Sequence, residues 1–78
     1  MKLKRAEVIK IFAENLRAER ARKNYSQEYL AEMAGISVEY LSRMENEYFS
    51  PSVVIIANLA IALGVSLDKL VPLDKYIN

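Results

Sequence analysis

The stretch from Ser26 to Ser52 constrains the fold most, because it encodes two short helices around a single glycine. Ser26 is a good N-cap for the first helix, and Gly35 can end that helix in a left-handed conformation. Ser37 then caps the second helix. Residues 26–46 therefore predict a helix-turn-helix unit, which is two short helices joined by a tight turn.

Composition and periodicity indicate helix in the rest of the chain. The 78 residues include only two glycines and two prolines, and no alternating apolar and polar run is long enough for a strand. Apolar residues recur at spacings of three and four from about Ala6 to Lys23, and Asn24 can end this first helix in a left-handed conformation. Because 53% of the residues are apolar, we expect a core that needs no disulfide.

Serines also set the start of the last two predicted helices. Ser52 is expected to cap a fourth helix that stops at Gly64, and Ser66 opens a short fifth helix. Residues 72–78 then form a short tail. The prediction is one compact all-α domain of five helices over residues 1–78, without internal repeats or linkers.

The sequence lacks the residues that most enzymes and metal sites use. It contains no histidine and no cysteine, which removes the commonest general base and the usual zinc ligands. Its two glycines, Gly35 and Gly64, lie too far apart for a glycine-rich phosphate loop. We therefore expect no enzymatic activity, no cofactor and no metal.

Targeting signals are missing as well. The N-terminus carries lysines and a glutamate without the apolar segment of a signal peptide. The longest apolar run, at residues 53–57, is far too short to cross a bilayer. These features predict a cytoplasmic protein with no membrane partner.

Charge is uneven along a chain whose formal net charge is only +1. Residues 1–25 hold eight lysines and arginines against three glutamates, a formal charge of +5. Residues 26–78 hold three basic and seven acidic residues, a formal charge of −4. A basic arm on a near-neutral domain is typical of an edge that faces phosphates, although a solvated helix face has the same pattern.

Residues at fixed spacing in all five predicted helices match one known pattern. They are Leu16-Arg17-x-x-Arg20, Tyr25-Ser26-Gln27-x-x-Leu30-Ala31, Ala34-Gly35-Ile36-Ser37, Tyr40-Leu41-Ser42-Arg43-Met44-Glu45-Asn46, Pro51-Ser52 and Leu59-Ala60-x-Ala62-Leu63-Gly64-Val65-Ser66-x-Asp68-x-Leu70. On these residues the chain resembles the Cro/repressor-type helix-turn-helix family, also called the XRE family, over residues 9–71. The resemblance implies a lambda-repressor-like fold that binds double-stranded DNA in the major groove, usually as a homodimer on a palindrome. The chain departs from the family pattern at Glu47, where glycine is frequent.

The resemblance and the predicted helix faces indicate which side chains contact DNA. Arg43 lies on the outward face of the third helix, where it can bond to guanine, reach a phosphate, or simply pair with Glu39. Val38 can meet a thymine methyl group, and Glu39 can accept a bond from cytosine. Gln27 opens the second helix, where the resemblance places a glutamine against the DNA backbone. The candidate DNA contacts are Arg17, Gln27, Ser37, Val38, Glu39, Ser42, Arg43, Asn46, Tyr48, Ser50 and Ser52.

The resemblance also implies one structural ion pair. In the family, an arginine at the position of Arg20 pairs with the glutamate that ends the third helix, here Glu45. Such a pair would join the third helix to the first. We expect its loss to unfold the domain more than it alters base preference.

The predicted fourth helix is apolar nearly all round, which is typical of a helix with no solvent-facing side. A second copy of the chain is the simplest cover for the side that does not face the core, although scattered exposed aliphatic residues are an alternative. The predicted homodimer contacts are Val54, Ala57, Ile61, Leu67, Val71, Tyr76 and Ile77.

These observations favour a transcriptional regulator, most simply a repressor or autoregulator. A DNA-binding antitoxin or a restriction-modification controller shares the fold and the DNA chemistry. A protein-interaction module that has lost DNA binding is a third alternative, favoured by the acidic residues of the third helix and by the aromatic pair Tyr48-Phe49. In that case the partner is an unidentified protein.

Overall fold

The residues that the structure describes form five α-helices, as predicted. The computed structural model describes residues 2–48 and 50–77 (for Lys75 the backbone only), and no strand occurs in these two ranges. The elements are α1 (Arg5–Arg22), α2 (Gln27–Ala34), α3 (Val38–Glu45), α4 (Val53–Leu63), α5 (Leu67–Leu70) and a 3-10 turn at Asp74–Tyr76. The all-α five-helix fold is confirmed, and the predicted tail contains this one short turn.

The helices α2, α3 and α4 each begin at a serine whose hydroxyl oxygen accepts a bond from the backbone N–H three residues later. The distances are 3.0 Å for Ser26, 3.0 Å for Ser37 and 3.2 Å for Ser52. Gly35 and Gly64 end α2 and α4 with φ angles of 72° and 70°, the left-handed region that glycine adopts without a steric penalty. These caps are local, which is why the sequence located the helix ends.

Ser66 precedes α5 as predicted, but its side chain does not cap the helix. The hydroxyl accepts no bond from the helix backbone. It bonds instead to the carboxylate of Asp68, and this hydrogen bond holds the pKa of Asp68 below its ordinary value. The short helix α5 therefore begins without the side-chain cap that the other serines provide.

One apolar core joins all five helices. Helix α2 packs on α3 and α4, while α1 packs on α3 and α5. Helix α3 is therefore held by α1 on one side and by α2 on another, and its remaining side faces solvent. The largest fully buried side chains are Leu16, Leu30, Leu41, Met44, Leu59, Leu63 and Leu70.

Candidate nucleic-acid interface

Helix α3 has one buried side and one exposed side. Leu41 and Met44 are buried in the core, while Val38, Glu39 and Arg43 are exposed. This division follows from the helical repeat of 3.6 residues, which places residues three and four apart on the same face. The inner residues fix the helix on the domain, so the outer residues are free to enter a groove.

The two charged residues on the outer side of α3 form an ion pair. Nη2 of Arg43 lies 3.5 Å from Oε1 of Glu39, one helical turn earlier. The two side chains are 59% and 77% exposed. A pair with this exposure adds little to the free energy of unfolding, because water screens it. Both residues can therefore serve binding without a cost to the fold.

Glu45 ends α3, and its side chain accepts three hydrogen bonds. Its carboxylate is 3% exposed and accepts bonds from Arg20 Nε at 2.7 Å and from Arg20 Nη2 at 3.0 Å. The amide nitrogen of Gln27 donates to the same carboxylate at 2.9 Å. The structure thus brings together the pair that the resemblance implies, and it adds the first residue of α2 to it.

Two arginines of α1 reach the end of α3. Arg20 also donates from Nη1 to the carbonyl of Tyr25 at 2.9 Å. Its hydrogen bonds to Glu45 raise the pKa of its guanidinium above the ordinary value. Arg17, a candidate phosphate contact, directs Nη1 at the backbone carbonyl of Glu45. A cation at the C-terminus of a helix is favourable, because the last carbonyls carry partial negative charge. The structure therefore gives Arg17 a partner within the fold, and its contact with DNA stays a prediction.

The segment after α3 closes the helix with a left-handed residue. Glu47 has a φ of 65°, its N–H donates to the Met44 carbonyl at 3.2 Å, and the N–H of Tyr48 donates to the Arg43 carbonyl at 3.0 Å. This is a Schellman motif in which glutamate takes the position usual for glycine. The chain thus has glutamate where the family often has glycine, and α3 still ends in the same kind of motif. The left-handed backbone at Glu47 is strained as a result.

The other candidates in the last turn of α3 and in the segment after it are at least partly exposed. The side-chain amide of Asn46 donates to the Ser42 carbonyl at 2.7 Å, and Ser42 itself is half-buried. Tyr48, Ser50 and Ser52 are exposed, as polar groups that reach a phosphate must be. The other aromatic residue of the predicted pair, Phe49, lies outside the described residues.

A match to a known protein family identifies the arrangement. A family model described as helix-turn-helix matches residues 16–70, which is most of the chain and includes α2 and α3. The chain belongs to the Cro/repressor-type helix-turn-helix family. It is a DNA-binding transcriptional regulator, and α3 occupies the place of the recognition helix.

Individual helix-turn-helix proteins are similar over most of the chain. The uncharacterized HTH-type transcriptional regulator YazB of Bacillus subtilis (strain 168) is 40% identical over 65 residues, which cover 83% of this chain and 94% of YazB. The restriction-modification controller protein C.AhdI of Aeromonas hydrophila matches in structure with a TM-score of 0.77 and 34% identity, over 80% of this chain and 94% of that one. The hypothetical transcription factor NHTF of Neisseria matches with a TM-score of 0.80 and 30% identity, over 91% and 83%.

Outside the helix-turn-helix unit, α4 leaves much of its apolar side uncovered. Val54 is 67% exposed and Ile61 is 77% exposed, while Ala57 between them is half-buried. Leu67 and Ile77, also predicted dimer contacts, are exposed. Two further predicted contacts are half-buried: Tyr76, and Val71, which packs against the core of its own chain.

The exposed apolar residues continue into a groove between α4 and the C-terminal segment. The groove has a volume of about 490 Å³, and two carboxylates lie in its lining. Its lining residues are Val53, Ile56, Leu67, Asp68, Val71, Leu73, Asp74 and Ile77. The groove and the outer side of α4 together form a large apolar surface that is open to solvent, of the kind that marks an interaction site.

No helix of residues 2–48 and 50–77 is long and apolar enough to span a membrane. The same ranges contain no group of three or more acidic side chains that could hold a metal ion.

Proposed function

We propose that the chain is a repressor or autoregulator that binds a palindromic operator as a homodimer. The observation that carries this proposal is the division of α3 into a buried side and an exposed polar side. Leu41, Met44 and Glu45 anchor the helix, and Val38 and Arg43 are exposed where they can meet base edges. A recognition helix needs both properties, because base contacts require a helix held in fixed orientation.

The remaining candidates would position the protein on the DNA backbone. Gln27 lies at the N-terminus of α2, where a phosphate is favoured by the helix dipole and by free backbone N–H groups. Ser37 opens α3 in the same way. The hydroxyl, amide and phenol groups of Ser42, Asn46, Tyr48, Ser50 and Ser52 are suited to phosphate contacts. Arg17 would reach a phosphate with the guanidinium edge that does not face Glu45.

The homodimer is proposed from the uncovered side of α4. Large aliphatic side chains as exposed as Val54 and Ile61, next to an apolar groove, favour burial against another surface. A second copy supplies the same surface, so a two-fold contact covers both at once. Such a dimer sets its two recognition helices about 34–36 Å apart, one turn of DNA, if each occupies a successive major groove. Function on DNA in the cytoplasm, without enzymatic activity, follows from this role.

A selection from random duplex DNA at moderate salt tests the proposal. We expect enrichment of a two-fold-symmetric motif whose half-site spacing reports the dimer. The variant Arg43→Ala should lose the motif. The matched control Arg5→Ala, which removes an exposed arginine at the far end of α1, should keep it. A folded wild-type protein that enriches no sequence would contradict operator binding and favour the interaction-module alternative.

A second candidate is the control of a restriction-modification system. The structural likeness to C.AhdI at 34% identity favours it. The two candidates share DNA chemistry and differ in the genes they govern. If the selected operator lies upstream of a methyltransferase and endonuclease gene pair, the controller role is correct. If it lies upstream of the gene for this chain and of no such pair, autoregulation alone is correct.

A further inference from the structure

The ion pair between Glu39 and Arg43, on the outer side of α3, does not connect α3 to another part of the fold. Arg43 makes no other ion pair and no side-chain hydrogen bond in the part of the chain that the structure describes. Both partners are mostly exposed, so the pair contributes little to stability. Its charges nevertheless lie where the DNA would approach, because the same side of α3 carries Val38.

We propose that Glu39 is a positioning residue that directs Arg43 to a guanine of the operator half-site and away from the phosphates. The inference rests on the proposed operator binding and adds to it the base that the recognition helix reads. In this role Glu39 influences base recognition through Arg43 and contacts no base itself.

The geometry of the two side chains supports guanine. A guanidinium is a rigid fork with five N–H donors, and guanine offers the acceptors N7 and O6 to such a fork in the major groove. Oε1 of Glu39 lies 3.5 Å from Nη2 of Arg43, so the carboxylate faces one side of the fork and leaves the other side for the base. Once the groove excludes water from the pair, the attraction between the two side chains becomes stronger than it is in the free protein.

The charges of the pair argue against a phosphate. A lone arginine gains most from phosphates, because each neutralised phosphate releases condensed counterions. Paired with Glu39, Arg43 contributes no net charge, and the carboxylate repels any phosphate close by. The neutral edge of guanine imposes no such penalty. Specificity is the difference between the affinity for the correct site and the affinity for other DNA. A weaker phosphate contact lowers the affinity for other DNA and therefore raises the specificity.

The substitution Glu39→Gln tests the proposal, because it keeps the shape of the side chain and removes its charge. We expect the guanine preference at one position of each half-site to fall about tenfold, within the range of discrimination by one bidentate contact. We also expect binding to random duplex DNA to tighten, and the slope of log affinity against log salt to steepen by about one per subunit.

Two further variants separate this role from a general effect of charge. Glu32→Gln removes the same charge from an exposed position on α2 and should leave the guanine preference unchanged. Arg43→Lys should lose the guanine preference, because an ammonium group is a point charge without the fork. The far-ultraviolet circular dichroism of each variant should match the wild type, since all three positions are exposed.

Each of the following results would contradict the proposed role of Glu39. An unchanged guanine preference in Glu39→Gln would overturn the positioning role. Loss of a cytosine preference at a neighbouring pair, with guanine retained, would also overturn it and make Glu39 a base contact in its own right. If the wild-type protein selects no DNA sequence, the proposed operator binding fails and this inference fails with it. If the wild type selects a motif that lacks guanine in the half-site, only the inference fails.

Discussion

Glu45 is a buried carboxylate that three hydrogen bonds from two different helices satisfy. Arg20 supplies two of them from α1, and Gln27 supplies the third from the start of α2. A charge removed from water needs such partners, since its desolvation costs several kcal/mol. The carboxylate therefore ties the recognition helix to both of its neighbours at one point.

Replacing Glu45 by alanine should lower the free energy of unfolding by about 3–5 kcal/mol, because Arg20 then remains partly buried without its partner. This is a large share of the roughly 5–15 kcal/mol that small domains have in total. Urea denaturation at neutral pH measures the change. Glu39→Ala, at an exposed position on the same helix, should shift the value by no more than about 0.5 kcal/mol. A folded Glu45→Ala variant with altered base preference would show that Glu45 reads DNA instead.

Glu47 is the residue at which the chain holds backbone strain. Its φ of 65° places a side chain where Cβ crowds the following carbonyl, at a cost of about 1–2 kcal/mol for most residues. Glu47→Gly should therefore raise the free energy of unfolding by about 1 kcal/mol, after the added freedom of the unfolded chain is subtracted. Asn24, with a φ of 59°, provides the control. Because asparagine tolerates this region, Asn24→Gly should give a clearly smaller gain, and equal gains would argue against strain at Glu47.

At the scale of the helices, the serine caps decide where each element starts. Ser52 matters most, because α4 is rich in β-branched valine and isoleucine, which favour helix only weakly. The cap satisfies one of the N–H groups that the first turn leaves without a helical partner. Helix α5 begins at a serine as well, but without this bond.

The substitution Ser52→Ala should lower the free energy of unfolding by about 1 kcal/mol, the typical value of a lost N-cap bond. In a domain of this size the midpoint of thermal unfolding should fall by about 4–8 °C. Ser66→Ala is the matched control, since the Ser66 hydroxyl accepts no bond from the helix backbone and its loss should change the midpoint by much less. Equal changes at both serines would mean that the cap is not what stabilises α4.

At the scale of the molecule, the apolar side of α4 is the proposed contact between two copies of the chain. Ile61→Lys should convert the proposed homodimer into a monomer, because burying an unpaired ammonium against aliphatic side chains is costly. Light scattering after gel filtration gives the mass in solution. Ala18→Lys introduces the same charge at an exposed position of α1 and should leave the dimer intact. An unchanged mass for Ile61→Lys, or a wild-type monomer at micromolar concentration, would place the interface elsewhere or remove it.

Much of the fold could be predicted from the sequence because its signals are local. Ser37 and Gly35 fix the turn between α2 and α3 by the conformation of their own backbone and by bonds to residues nearby. Periodicity likewise showed that Leu41 faces the core and Arg43 faces outward. Neither prediction required knowledge of which helices meet.

Contacts between distant helices were harder to predict. Periodicity gives the face on which a side chain lies, but not the group that meets it across the interface. Arg17 was expected at a phosphate because it is basic, yet it faces the carbonyl of Glu45, 28 residues later. Within α1, Glu19 pairs with Arg22 at 3.1 Å. The spacing of three residues is visible in the sequence, but the burial of Glu19 is not. The partnership of Arg20 with Glu45 was accessible only through resemblance to a family.

The two sides of α3 also bear on how such a regulator evolves. Residues that hold the helix in place, such as Leu41 and Met44, are separate from those that face outward, such as Val38 and Arg43. Exchanges at the outer positions should each alter stability by about 0.5 kcal/mol or less, because they remove no core contact. A lineage can thus acquire a new operator by a few surface substitutions on an unaltered scaffold, and duplicated copies can separate their targets without passing through an unfolded intermediate.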